Sequence, residues 1–509
     1  MQRALANRVL FMNTLAFTVC FAVWTMYGVL VTFLVDHHVV TLDKAQIGWL
    51  IGIPILTGSI FRLPVGMLTD RFGGKPVYTC VLLLSAIGAV LTSFASSFTT
   101  LALAGLVFGL SGTGFAVGIA YSSVWFPKER QGTALGIFGV GNAGAGVTSL
   151  GAPLILKSLT NDGANIDGWR TLPLLYAAAL VVMAVIFWFS VVNKRVEGGA
   201  EKTMAQMLYP LKDIRVWRFG LYYFLVFGAF VALSQWLVPY YLNVYGMTLA
   251  TAGLMASVFS LPSGIIRALG GWISDKLGAR ATMYWVLSTC ALFFVLLIAP
   301  RMDITSPGQG VMADGPGVVT SVESTLIAVG EKKYPVNART EQVAQHEEGT
   351  FVFPTFDSWQ QPVVKVGDKV KRKQLLASGV TQIFFQANVW IFTALVFLAG
   401  ISMGIGKAAV YKHIPEYFPR DVGVVGGLVG VIGGLGGFFC PILFGYMLKA
   451  TGVWTTCWLF LALISIISIV WMHLVILKMT RKMKPAGLLD ESGDEPISAG
   501  RSGEPLPTN

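Results

Sequence analysis

An arginine stands inside an apolar run at position 62, in GSIFRLPVGMLTDRFGGK (58–75), and the same pattern returns in LPSGIIRALGGWISDKLGAR (261–280). Arg62, Gly66, Asp70 and Arg71 correspond to Arg267, Gly271, Asp275 and Lys276 at one offset of 205 residues (267 − 62). A chain that repeats a buried cation in this way is built from two related halves, and each half must supply a polar interior for its guanidinium. Asp70 marks where the first run meets water. Eight residues of helix at about 1.5 Å each put Arg62 roughly 12 Å inside the apolar layer.

The apolar runs set the class. With 54% hydrophobic and 12% charged residues in 509, and a mean hydropathy of +0.67, this is a polytopic membrane protein; soluble domains are about one quarter charged. Stretches long enough to span a bilayer, about 20 residues each, fall near 10–35, 46–69, 76–95, 100–124, 132–157 and 170–192, then near 219–243, 249–272, 282–300, 384–410, 421–448 and 454–478. The expectation is twelve transmembrane helices, six plus six. Arg3 and Arg8, Arg71 and Lys75, Lys128 and Arg130, Lys276 and Arg280, Lys412 and Arg420, and Arg481 and Lys482 all fall on one side. By the positive-inside rule that side is cytoplasmic, with both termini there. The net charge of +11 therefore reads as topology and does not call for nucleic acid. Five cysteines in or beside apolar runs, with no CxxC spacing, point to neither a disulfide framework nor a metal site. The basic start, without a small-residue cleavage site, reads as an uncleaved first helix.

The domains expected are a six-helix half (1–192), a basic cytoplasmic linker (193–218), the first three helices of the second half (219–300), an insertion (301–383), the last three helices (384–483) and a polar tail (484–509) expected to be disordered. The insertion is sized by a second repeat. FPKERQGTALGIFGVGNAG from Phe126 resembles FPRDVGVVGGLVGVIGGLGG from Phe418, offset by 292 residues, which exceeds 205 by 87. Only the polar stretch between spans nine and ten is long enough to account for the excess. Alternating segments such as GVVTSVESTLIAV and PVVKVGDKVKRKQLLA predict short β-strands there, a small periplasmic domain. The second segment resembles half of a biotinyl or lipoyl type barrel-sandwich domain but lacks the lysine-bearing turn that carries those cofactors.

Two deep arginines cost about 2.5 to 3.5 kcal/mol each on insertion scales and need partners in a polar cavity. No predicted span holds an acidic residue at their depth. A transported anion is then the natural counterion, and a planar fork of donors suits a flat oxyanion. The bland alternative is that each arginine bonds backbone carbonyls or snorkels to the interface. Gly139, Gly141 and Gly144 mirror Gly430, Gly433 and Gly434 in lanes that let helices approach closely. Asn142 is a lone amide in the first lane, able to donate to an anion. Asp70, Arg71, Asp275 and Lys276 read as gate and helix-end contacts. Lys407 occupies the place equivalent to Phe115, eleven residues before the repeated phenylalanine. It either titrates at a pocket edge, carrying a coupling proton, or reaches water from the end of span ten. His413 reads as interfacial.

Together these motifs resemble the nitrate/nitrite porter family of the major facilitator superfamily, over nearly the whole chain apart from the insertion and tail. The resemblance implies that Arg62 and Arg267 are the two substrate arginines, that GIFGVGNAGAG and GLVGVIGGLGG are the paired glycine signatures, and that Asn142, Phe115, Tyr223 and Phe227 line the pocket. Lys407 departs from the family pattern, where asparagine is common. The expected fold is the all-α major facilitator fold with a β-rich insertion. The expected function is transport of nitrate, nitrite or both across the inner membrane by a monomer, as nitrate/proton symport or as nitrate/nitrite exchange. A carrier of a larger organic anion, and a membrane sensor using the β-domain, stand as alternatives. No cofactor is expected, and the absence of a Walker GxxxxGK[ST] sequence or other catalytic motif points away from an enzyme.

Overall fold

The computed structural model describes residues 2–194, 204–299, 302–338, 355–385, 388–418 and 422–483. The tail expected to be disordered (484–509), part of the linker (195–203) and parts of the insertion lie outside them. The chain divides into two compact units, one made of Met1–Val295, Phe397–Ala450 and Cys457–Asn509, the other of Leu296–Val396 and Thr451–Thr456.

The larger unit is helical. Its elements are α1 (Arg3–Asp36), α2 (Lys44–Phe72), α3 (Gly74–Ser93), α4 (Phe98–Trp125), α5 (Lys128–Gly139), α6 (Gly144–Leu159), α7 (Ile166–Ser190), α8 (Ile214–Tyr245), α9 (Leu249–Ile265), α10 (Arg267–Leu277), α11 (Ala279–Leu296), α12 (Val389–Tyr417), α13 (Val422–Thr451) and α14 (Thr456–Met483), of which the start of α12 belongs to the smaller unit. Among the described residues ten helices are long and apolar enough to cross a membrane, or eleven if α9 and α10 count as one span bent by 47°. The stretch expected as span five, α5 and α6 joined by a 3-10 turn at Val140–Ala143, falls outside that count.

The repeat is visible in the backbone. α2 breaks at Phe61, where Pro64 lacks the N–H that would reach the Ile60 carbonyl, and α9 ends before Ile266, a turn past Pro262. Each arginine is the first residue after its break. Both copies close on a glycine with positive φ, Gly73 at 88° and Gly278 at 80°, a conformation that a Cβ disfavours. Phe61 with Ile266, and Gly73 with Gly278, are again separated by 205 residues.

Helices from the two sequence halves meet along glycine seams. A Cβ at Gly52 would press on the Phe438 carbonyl of α13, at 2.7 Å, and one at Gly264 would press on Ala143 N, at 2.5 Å. Small residues thus set how closely α2 approaches α13 and α9 approaches the Val140–Ala143 turn.

The smaller unit carries seven strands: β1 (Met302–Met312), β2 (Gly317–Val322), β3 (Leu326–Val329), β4 (Lys332–Pro335), β5 (Thr355–Pro362), β6 (Lys369–Val370) and β7 (Leu375–Phe385). They form antiparallel sheets in the orders β1-β7-β5 and β4-β3-β2-β6. Val319, Ile327, Tyr334, Val370 and Leu376 are among the residues of its own apolar core. Strand β7 runs through Phe385 and α12 begins at Val389, so the first residues of the predicted run 384–410 are strand, not helix. The linker also ends earlier than expected. α8 begins at Ile214, and Arg218, read from the sequence as the last linker residue, is helical and buried.

Candidate functional site

The break in α2 lets Arg62 turn inward, and the break before α10 does the same for Arg267. Both are buried, at 3% and 6% exposure, which excludes snorkelling to the interface. Their guanidinium carbons lie 5.0 and 5.2 Å from the centre of one ring, Phe115 on α4, so the two cations are at most 10.2 Å apart. Arg62 also lies over Phe227 at 5.1 Å and Trp24 at 5.4 Å. It donates from Nη1 to the Gly430 carbonyl at 2.7 Å and from Nε to the Gly112 carbonyl at 3.4 Å, while Nη2 has no hydrogen-bond partner. For Arg62 the carbonyl-bonding alternative therefore holds in this closed arrangement. Arg267 Nη1 also lacks a hydrogen-bond partner. Neither arginine meets a carboxylate among the described residues.

A buried guanidinium with an unmet donor is an unfavourable state unless something else completes it. Asn142, fully buried in its 3-10 turn, likewise has no hydrogen-bond partner for Nδ2 or Oδ1. Tyr223 and Phe227 sit at a π-helical segment, Phe224–Ala229, that widens α8 beside the site. Their rings stack at 4.9 Å and 8°, and Tyr411 meets Tyr223 edge-on at 5.1 Å. Phe115 and Phe227 are 5.9 Å apart at 25°. A planar ion between two rings needs about 3.5 Å on each side. The expected sandwich thus has no room in this closed arrangement, and the rings must part for an ion to enter.

The glycines shape these contacts. Arg267 Cδ and Nε lie 2.7 Å from where a Cβ at Gly139 would be; Gly141 and Gly144 face Phe17 and the Thr18 carbonyl. Gly430 and Gly434 flank Arg62, and Gly433 accommodates the Tyr223 ring.

Lys407 does not reach water. It is fully buried, donates from Nζ to Ser263 Oγ at 3.2 Å and lies 3.0 Å from the Phe230 ring centre. Ser263 is one turn before Arg267, so the lysine joins the same charged region. His413 is also buried, at 4%, stacked on Phe219. Among the loop residues, Asp275 pairs with Lys412, Lys276 lies over Trp272 at 4.3 Å and Arg71 over Phe72 at 5.5 Å; Asp70 makes no ion pair among the described side chains. Sequence reasoning missed Trp24 and Tyr411. Tyr411 was within reach of it, one helical turn from Lys407 on the same face.

Two repeated copies each deliver one guanidinium, without a carboxylate partner among the described residues, to a shared aromatic ring between the helices of a polytopic membrane protein. The Major Facilitator Superfamily profile matches residues 13–330 and 365–502. The sequence is 40% identical over 479 residues to the "Probable nitrate/nitrite antiporter NarK1" of Thermus thermophilus, covering 93% of each chain. It is 24% identical over 467 residues to the "Nitrite extrusion protein" of Bacillus subtilis (strain 168), covering 91% of this chain and 93% of that one. Among solved structures, a bacterial homologue of the human lysosomal transporter Spinster, inward-facing and occupied, superposes with a TM-score of 0.59 at 15% identity, covering 92% of this chain and 96% of that one. The chain belongs to the nitrate/nitrite porter family of the major facilitator superfamily.

Proposed function

We propose that this chain carries nitrate, nitrite or both across the cytoplasmic membrane by alternating access around the Arg62–Arg267 site. The observation that carries the reading is the pair of buried guanidiniums, one from each repeat copy, that face Phe115 with donors unmet. Arg62 exchanges the Gly430 carbonyl for one oxygen of the anion, and Arg267 takes another. Asn142 and Tyr223 orient the ion, and Phe115 and Phe227 cover its faces once they part.

In this reading α5 and α6 together are span five, giving twelve spans with α9–α10 as one. The two halves are 1–192 and 219–300 with 384–483, both termini are cytoplasmic, and the strand-bearing insertion is periplasmic. The transporting unit is a monomer, and Asp70, Arg71, Asp275 and Lys276 form the cytoplasmic gate. Import of an anion against an inside-negative potential costs about 2.3 kcal/mol per charge per 100 mV, which symport with protons offsets. Lys407, buried beside Ser263, is the proposed proton carrier. The printed name of the Thermus thermophilus relative favours a second reading, nitrate/nitrite exchange through the same pocket with no titrating group. Counterflow in proteoliposomes with nitrate or nitrite inside, and with or without an imposed pH gradient, tests both. Uptake driven by the gradient supports symport; uptake that requires internal nitrite and ignores the gradient supports exchange. Absence of either flux overturns the carrier assignment.

A further inference from the structure

One more donor reaches the two-arginine site from the second half. Tyr411, on α12, sets its ring edge-on against Tyr223 at 5.1 Å and against Phe115 at 6.4 Å. It therefore touches both the ring that the two guanidiniums share and the phenol beside it. Phe115 and Tyr223 are buried, at 2% and 0% exposure, whereas Tyr411 is only half-buried. Of the three rings it alone keeps substantial accessible surface, so it can move without first displacing the other two.

Its hydroxyl is held in the same way as Arg62. Tyr411 Oη donates to the Gly426 carbonyl at 3.2 Å, and Arg62 Nη1 donates to the Gly430 carbonyl at 2.7 Å. Those carbonyls lie one turn apart on α13, and a Cβ at Gly430 would sit 3.0 Å from the Tyr411 hydroxyl. Hydroxyl and guanidinium thus meet at one glycine. A helical carbonyl already accepts from the N–H four residues on, so either donor can leave without orphaning its acceptor. At 3.2 Å the tyrosine bond is also longer than is usual for a hydroxyl donor, and little is lost when it breaks.

We propose that Tyr411 determines specificity at this site: its hydroxyl leaves Gly426 and donates to the third oxygen of nitrate, an atom that nitrite lacks. The role presupposes the Arg62–Arg267 reading, in which each guanidinium takes one oxygen of the anion. Two arginines then serve both oxygens of nitrite but leave one oxygen of nitrate without a strong donor. An anionic oxygen is a better acceptor than a carbonyl, so the exchange favours nitrate, whereas with nitrite the hydroxyl stays on Gly426. Asn142, with no hydrogen-bond partner to give up, serves either anion alike. Lys407, one turn earlier on α12, is engaged with Ser263 and does not compete for the third oxygen.

The test titrates the full chain in neutral detergent with sodium nitrate and with sodium nitrite by isothermal calorimetry, and reads the ratio of the two dissociation constants. Tyr411→Phe keeps the ring and removes the hydroxyl. It is expected to weaken nitrate binding by about tenfold, the loss of one hydrogen bond to an anion, and nitrite binding by less than about twofold. Tyr411→Leu, which removes the ring as well, is expected to lower the preference for nitrate likewise, so the test stands if one variant does not fold. A bond that merely ties α12 to α13 would move both anions together. Equal changes for the two anions, or none, therefore overturn the proposal and leave the transport reading intact. A wild type that binds neither anion removes the Arg62–Arg267 site itself and the proposal with it, so the two failures are told apart by the wild-type titration.

Discussion

Arg62 Nη1 donates to the Gly430 carbonyl at 2.7 Å, joining α2 of the first half to α13 of the second. A cation in an apolar layer thus takes a backbone acceptor from the opposite half while the site is closed. The bond is exchangeable, because a carbonyl is a weaker acceptor for a guanidinium than an anionic oxygen. In the proposed function, binding of an anion at Arg62 is therefore coupled to the contact between the halves.

Arg62→Lys is expected to lower nitrate uptake by about a hundredfold or more, with the protein still folded. The ammonium keeps the charge and loses the planar fork that serves a carbonyl and an anion together. Counterflow of labelled nitrate measures it, and affinity equal to wild type would remove the clamp.

Gly139→Ala is expected to displace Arg267, whose Cδ and Nε lie 2.7 Å from the added methyl position. The overpacking costs about 1 to 3 kcal/mol of stability. Uptake should fall well beyond what thermal unfolding alone accounts for, because the crowded group is the guanidinium stem. Gly66→Ala, where a Cβ meets nothing within 4 Å, is the matched control and should behave as wild type.

Lys407→Asn tests coupling. If the buried ammonium carries the proton, the variant loses the pH dependence of uptake while nitrate/nitrite counterflow persists. Unchanged pH dependence assigns the proton elsewhere.

Asp43 and Lys449 make the pH prediction at the opposite end of the bundle from the repeated loops. Lys449 Nζ donates to Asp43 Oδ2 at 2.8 Å, and Gln46 N donates to Oδ1 at 2.8 Å as part of a capping box on α2. These bonds, that from Lys449 first, hold the Asp43 carboxyl below the usual carboxylate range. A depressed folded value means that the stabilisation is complete above the unfolded pKa, about 3.9, and is lost as pH falls through the folded value. Asp43→Asn keeps an N-cap acceptor and loses the charge pair. Its thermal unfolding should sit slightly below wild type at neutral pH and converge with it in acid; a constant difference at every pH would show that the pair contributes nothing.

Hydropathy and the 205-residue repeat determined the membrane class, the two related copies and the two buried cations, because each depends only on local composition and on the register of one segment against another. The alternating segments also announced strands between the ninth and tenth runs, although not that β7 reaches Phe385. What the chain order does not encode is distance between helices. That Phe115 lies within 5.2 Å of both guanidinium carbons follows from how α2, α4 and α10 pack. So does the burial of Lys407 against Phe230, where the sequence left a pocket edge and water both open, and that of Arg218 against Phe219 and Tyr417, which the sequence placed in a linker. A charged side chain in a one-dimensional reading has only its own run as environment, whereas in the folded bundle its environment is supplied by helices tens or hundreds of residues away.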